Sequence, residues 1–196
     1  ERLRSIPAWD RAETVKSNPD SPQLPVRRAA LRAGKRVYMA VPRLRDEQCF
    51  MRLDPETIAD TDEAATISGA DRYAEPVAPG NMRPVDLIVA GSVAVTPEGD
   101  RIGKGEGYSD LEFAILTEAG RVDRETTIVT TVHEMQVLDA ETEFQTDDHD
   151  VPMDRIVTPE RVIETDRRED RPDGIDWDAL AASKIEEIPI LERLRP

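Results

Sequence analysis

The stretch Arg101-Ile102-Gly103-Lys104-Gly105-Glu106-Gly107-Tyr108-Ser109-Asp110 places three glycines at alternate positions among charged residues. Glycine admits left-handed torsions and close approach to the backbone, so successive N–H groups in such a run can turn toward one anion. A helix predicted to start near Tyr108 adds the positive end of its dipole. Arg101 and Lys104 set full positive charges beside those amides. Asp110, in the first predicted turn, is suited to hold a magnesium ion bridging phosphate oxygens. Glu106 brings a negative charge into the loop, with Lys104 as its candidate partner. The spacing is neither the dinucleotide fingerprint nor the G-x-x-x-x-G-K-[ST] pattern. Alternating glycines alone also suit a simple tight turn. A strand before, a helix after and two cations inside favour a phosphate chain.

Those flanking elements belong to a wider pattern. Val85–Ala90 is an apolar run of the kind found in strands covered on both faces, and Tyr108–Ala119 reads as a helix stopped by Gly120. Thr126–Val132 is β-branched and predicts a strand; Asp154–Thr158 predicts the last one. Upstream, Ser5–Lys16 reads as a helix with a serine cap and an early proline. Val26–Ala33 reads as a second helix and Arg36–Val41 as a buried strand. Residues 54–84 are turn-rich, with helical pieces around Pro55–Asp60. Strands alternating with helices predict an α/β fold: a three-layer, mostly parallel sheet with flanking helices and right-handed crossovers. Residues 1–165 form the expected domain. Residues 166–196 are a charged linker and a helical tail whose Trp177, Leu180, Ile185, Ile188, Ile190 and Leu191 are expected to dock back on it.

Composition restricts the partners. The 196 residues carry 41 acidic and 26 basic side chains, a formal net charge of -15. Only Lys16, Lys35, Lys104 and Lys184 are lysines, so 22 of those 26 basic residues are arginine. Acid excess with scarce lysine fits a salt-rich cytoplasm. The negative field disfavours nucleic acid and anionic membranes, and no apolar run approaches the ~20 residues of a membrane helix. No secretory leader is read at the start, and the single cysteine, Cys49, fits a reducing, cytoplasmic compartment as a small buried side chain. His133 is expected in a structural hydrogen bond, His149 in a loop or supporting a ligand residue from behind, Trp9 and Trp177 in packing, and Asp147-Asp148 in a solvated acidic loop, with a contribution to the nearby magnesium position as the alternative. Any anionic ligand must therefore be held by a local positive site.

The run Asp86–Asp110 resembles the nucleotide-binding signature of 5-formyltetrahydrofolate cyclo-ligases: a strand, a short turn, then "G-x-R-x-G-x-G-x-G-Y-Y-D". His149-Asp150-Val151-Pro152-Met153-Asp154 with Ile156-Val157-Thr158 is similar to that family's "H-D-x-x-x-D-x-x-x-T". The likeness spans roughly residues 24–165. It is closer to the divergent methenyltetrahydrofolate synthetase domain-containing branch, which reads "R-I-G-K-G-E-G-Y-x-D-L-E". That branch also carries "V-K-x-N-P-D-x-P-Q" and "P-R-L", as at Val15–Gln23 and Pro42–Leu44. The resemblance implies a fold like ribose-phosphate isomerases and CoA transferases, and ATP- and magnesium-dependent closure of 5-formyltetrahydrofolate to 5,10-methenyltetrahydrofolate by a monomer or homodimer. It implies that Arg101, Ile102, Gly103, Lys104, Gly105, Glu106, Gly107 and Tyr108 bind ATP, with Arg101, Lys104 and Tyr108 catalytic. Tyr108 and Ser109 would border the reduced folate, and Asp110 and Asp154 would ligate magnesium. Ser109 stands where the family has a second tyrosine. Lys16 and Arg27 are the candidates for the basic pair that the family carries on its first helix, and Asp20 for its folate-contacting acid. A nucleotide- or partner-binding protein without folate chemistry is the alternative.

Overall fold

The computed structural model describes residues 1–139, 141–142, 145–165 and 167–195. Eight strands form one sheet in the order β10-β9-β8-β5-β1-β2-β3-β4. Its centre is parallel: β1 (Thr14–Ser17), β2 (Arg36–Ala40), β5 (Leu87–Ala90), β8 (Thr127–Thr131) and β9 (Arg155–Val157). One edge is closed by antiparallel β3 (Phe50–Leu53) and β4 (Glu75–Val77), the other by antiparallel β10 (Val162–Glu164). A separate antiparallel ribbon, β6 (Ala94–Val95) and β7 (Arg101–Ile102), stands between β5 and the next helix.

The apolar run at Val85–Ala90 has a direct structural reason. Side chains alternate across a strand, so Leu87 and Val89 enter one core while Ile88 and Ala90 enter the other. The first core is covered by α1 (Pro7–Arg11), α2 (Leu24–Arg32), α3 (Thr61–Ala64) and α4 (Ile67–Tyr73). The second is covered by α5 (Tyr108–Glu118) and by α6 (Ala182–Glu187) and α7 (Pro189–Leu194) of the tail. The result is three layers, helix on sheet on helix, with a mostly parallel sheet.

Three local readings are corrected. Ser5–Lys16 is not one helix: α1 stops at Arg11, and Thr14–Ser17 is the buried strand β1, paired on both sides. Phe50–Leu53 and Glu75–Val77 are strands, and the helices of the turn-rich segment begin at Thr61, beyond the predicted Pro55–Asp60 pieces. The strand at Arg155–Val157 is not the last, because the chain turns at Thr158–Arg161 and returns as β10.

The connections place a crevice. From β1 the chain passes through α2 on one face to β2; from β5 it passes through α5 on the other face to β8. The direction in which successive strands are added therefore reverses between the parallel neighbours β1 and β5. Open α/β sheets bind ligands at such a switch point, outside the carboxyl ends of the strands.

Candidate functional site

A cavity of about 570 Å³ opens at that point. Its floor comes from the carboxyl ends of β1, β2 and β5, at Asn18, Ala40 and Gly91, and its rim is the loop Gly103–Asp110. The volume is that of an ordinary small-molecule site.

The loop's three glycines serve two purposes. Gly105 (φ 82°) and Gly107 (φ 66°) adopt left-handed torsions, the second just before α5. Gly103 is needed for space, since a Cβ there would stand 2.8 Å from Nη1 of Arg101. Among the described residues, no N–H from Gly103 to Asp110 donates to a protein acceptor; Leu111 is the first that does, to the Gly107 carbonyl. The run is a cup of backbone donors at a helix start, suited to an anion.

Arg101 supports this cup from beneath. Its side chain is 7% exposed; Nη2 donates to Asp110 Oδ2 at 2.5 Å and Nη1 to the Gly91 carbonyl at 3.2 Å. Asp110 Oδ1 accepts from Val151 N–H at 3.2 Å, so Asp110 ties the ribbon, α5 and the 147–153 segment together. Ile102 lies in β7, its carbonyl accepting from Val93 N–H, and does not line the cavity. Lys104 reaches across the mouth to Asp20 Oδ1 at 2.6 Å, not to Glu106. Tyr108 and Ser109 are half-buried on the wall. Lys16, on β1, is buried and ion-paired with Glu112 of α5 beneath the loop. Arg27 is buried too. Its Nε donates to the Ala65 carbonyl at 2.9 Å, and Nη1 to the Asn18 and Asp20 carbonyls at 2.7 and 3.0 Å. Burial lowers its pKa to about 10, which leaves it charged at neutral pH. It braces the Asn18–Asp20 turn and does not line the cavity.

Asp154 lies elsewhere. It precedes β9 and is level with Ile128, low on the sheet; Oδ2 accepts from Ile128 N–H at 2.7 Å and is ion-paired with buried Arg171. Burial pushes the Arg171 pKa down, against the pull of Asp154. Asp110 and Asp154 thus have separate partners, Arg101 and Val151 for the first and Ile128 and Arg171 for the second, and no group of three or more His, Cys, Asp or Glu among the described residues forms a metal cluster.

Four contributors were not singled out for chemistry by sequence reasoning. Asn18 and Gln23 line this crevice, and their side-chain oxygens are buried with no hydrogen-bond partner among the described residues. The quoted Val15–Gln23 motif contained both. Arg43 (φ 58°) and buried Leu44 (φ 52°) hold left-handed torsions that non-glycine residues adopt at a cost, and Arg43 lines the cavity. Lys184, from α6, donates to the Glu106 carbonyl at 2.7 Å and sits 4.1 Å from the Tyr108 ring centroid. Three of the four lysines, Lys16, Lys104 and Lys184, thus meet at the loop.

His149 is exposed on the cavity rim, while the His133 side chain accepts from Met135 N–H. Cys49 is buried, and desolvation pushes its pKa up to about 12, so it is no nucleophile.

A doubly wound sheet with a glycine loop at its switch point defines a class of α/β protein whose crevice lies at the carboxyl ends of its strands. Comparison narrows the class. The sequence profile of the 5-formyltetrahydrofolate cyclo-ligase family matches residues 1–159, and the chain belongs to that family. It is 39% identical over 198 aligned residues to a human methenyltetrahydrofolate synthase domain-containing protein, covering 100% of this chain and 51% of the relative. The bovine and zebrafish proteins of the same name are each 40% identical, over 100% and 99% of this chain and 52% and 51% of their own. The chain therefore spans about half the length of the curated relatives it matches. No helix among the described residues is long and apolar enough to cross a membrane.

Proposed function

We propose that this chain is a folate cyclo-ligase domain that closes 5-formyltetrahydrofolate to 5,10-methenyltetrahydrofolate with ATP as co-substrate. The observation that carries the reading is the set of unpartnered N–H groups from Gly103 to Asp110 at the switch point. Phosphoryl transfer relies on positioning and charge neutralisation, which such a cup supplies. The formyl oxygen attacks the terminal phosphorus, and the bond to the leaving ADP oxygen breaks. The substrate's second nitrogen then attacks the formyl carbon and gives up its proton. The carbon–oxygen bond to phosphate breaks, releasing inorganic phosphate.

The loop amides bind the triphosphate, and Lys104 exchanges Asp20 for a phosphate oxygen. Arg101 and Asp110 hold the loop's base, a positioning role. Tyr108 and Ser109 border the folate. The unpartnered oxygens of Asn18 and Gln23 are acceptors for the N–H edge of a heterocycle, since an unmet buried acceptor is costly. Magnesium is proposed to arrive with the triphosphate. Buried Cys49 fits a cytoplasmic site of action. Purified protein given ATP, magnesium and 5-formyltetrahydrofolate is expected to generate the near-ultraviolet absorbance of the methenyl product. Absence of product at both low and high salt would overturn the proposal.

One observation favours a second reading, a nucleotide-binding protein without folate chemistry: among the described residues Tyr108 is the only tyrosine, phenylalanine or tryptophan on the cavity wall, with Ser109 beside it. Calorimetry separates the two. ATP binding without 5-formyltetrahydrofolate binding supports the second; folate binding supports the first.

A further inference from the structure

The tail lies outside the residues matched by the family profile, which ends at 159, yet it touches both ends of α5. At the carboxyl end, Ile175 N–H donates to Glu118 Oε1 at 3.2 Å. At the amino end, Lys184 donates to the Glu106 carbonyl at 2.7 Å and covers the Tyr108 ring. Between these points the tail is anchored: Ile175, Ile188, Ile190 and Leu191 are buried in the same core as Phe113, Ile115 and Leu116 of α5. Lys184 does not line the cavity, so it can act on a ligand there only through the loop.

What it holds matters. In a helix continued backward from Tyr108, the Glu106 carbonyl would accept from Asp110 N–H, four residues on. Lys184 occupies that carbonyl, and Asp110 N–H stays without a protein acceptor among the described residues. The chain has no cis peptide bond. In a planar trans peptide the C=O and N–H point in opposite directions, so fixing the Glu106 carbonyl also fixes the Gly107 N–H. A segment with three glycines in five residues, Gly103 to Gly107, has much backbone freedom to lose when it grips an anion. A restraint already in place reduces that loss and strengthens binding.

We infer that Lys184 is a positioning residue: the tail splints α5 and presents this lysine to hold the glycine loop in its anion-receiving conformation. The inference rests on the anion-binding role assigned to the loop under the proposed function, but its mechanical part can be tested without any ligand.

The test uses the full chain and its Lys184→Met and Lys184→Arg variants. Nitrogen-15 relaxation of the Gly103, Gly105 and Gly107 amides is measured without nucleotide, and ATP with magnesium is then titrated calorimetrically. In the parent chain the three order parameters are expected near the rigid value of about 0.85, falling toward about 0.6 in Lys184→Met. ATP affinity falls about tenfold in that variant, the effect of one hydrogen bond from a charged donor. Lys184→Arg, which keeps a cationic donor, restores most of both, while thermal midpoints stay close together. Unchanged order parameters in Lys184→Met would overturn the inference whatever the nucleotide result. Loosening that arginine does not repair, accompanied by a drop in thermal midpoint, would reduce Lys184 to a packing residue and also overturn it. If the loop loosens as expected but the parent chain binds no ATP, the nucleotide reading fails and the tail's hold on the loop stands.

Discussion

Two motif-bearing regions of this chain use their polar groups in opposite ways. At the carboxyl end of the sheet, the loop Gly103–Asp110 keeps its N–H groups without protein acceptors among the described residues, beside a cavity of about 570 Å³. Lower on the same sheet, Asp154 is enclosed: it takes the Ile128 N–H, pairs with buried Arg171 and has Arg168 at 3.6 Å. Both segments resemble parts of one family signature. The difference teaches that a charged motif residue can be recognised by type and spacing while its role depends on whether its hydrogen-bonding capacity is still free. Asp154 uses Oδ2 to join β8, β9 and the linker and leaves Oδ1, 3.6 Å from Arg168, without a hydrogen-bond partner among the described residues, whereas the cup leaves a whole run of donors open.

The largest expected effect lies in the enclosed region. Asp154→Ala leaves the Arg171 guanidinium buried without its partner and should cost about 3–5 kcal/mol in urea unfolding. ATP affinity of the molecules that remain folded should be nearly unchanged; a selective loss of affinity would erase the contrast between the regions. Next, Gly103→Ala forces a Cβ against Nη1 of Arg101 at 2.8 Å and disturbs the Arg101–Asp110 pair. It should weaken ATP binding more than Gly105→Ala, whose added methyl meets open space and which costs about 1 kcal/mol of backbone strain. Calorimetric titration of both variants checks that order. Lys104→Met should weaken ATP binding about tenfold and leave the urea midpoint almost unmoved, because its pair with Asp20 is exposed. The smallest effect is of opposite sign: Asp20→Asn frees Lys104 and should tighten ATP binding about two- to threefold. Weaker binding in that variant would mean that Asp20 contributes to the site by other means.

The part of this arrangement visible in sequence is the part built from neighbours. Apolar Val85–Ala90, the glycine loop, the helix from Tyr108 and the strand at Thr126–Val132 follow each other closely, and each carries its own local signal. The strand β1 did not. Thr14–Ser17 is four residues long and contains Lys16, whose buried partner Glu112 is 96 residues away. Seen locally, Lys16 is one polar residue following a helix start. The antiparallel strands β3, β4 and β10 toward the two ends of the sheet are short and partly exposed, so their alternation is weak. The roles of Arg101 and Arg27 were hidden for the same reason. An arginine beside glycines reads as a phosphate ligand, and the contacts of Arg101 with Asp110 and Gly91, like those of Arg27 with Ala65 and Asn18, exist only in the tertiary structure. Lys184 depends on a contact spanning 78 positions, and nothing in the local pattern of α6 announces it.

The most direct measurement of the central claim follows the amide resonances of the nitrogen-15-labelled chain as ATP is added. Gly103, Gly105 and Gly107 should show the largest downfield proton shifts, saturating with nucleotide and absent with adenosine, while Gly34 and Gly120 remain still. Shifts concentrated at other residues, or none at millimolar ATP (the weak end of nucleotide affinity), would contradict it.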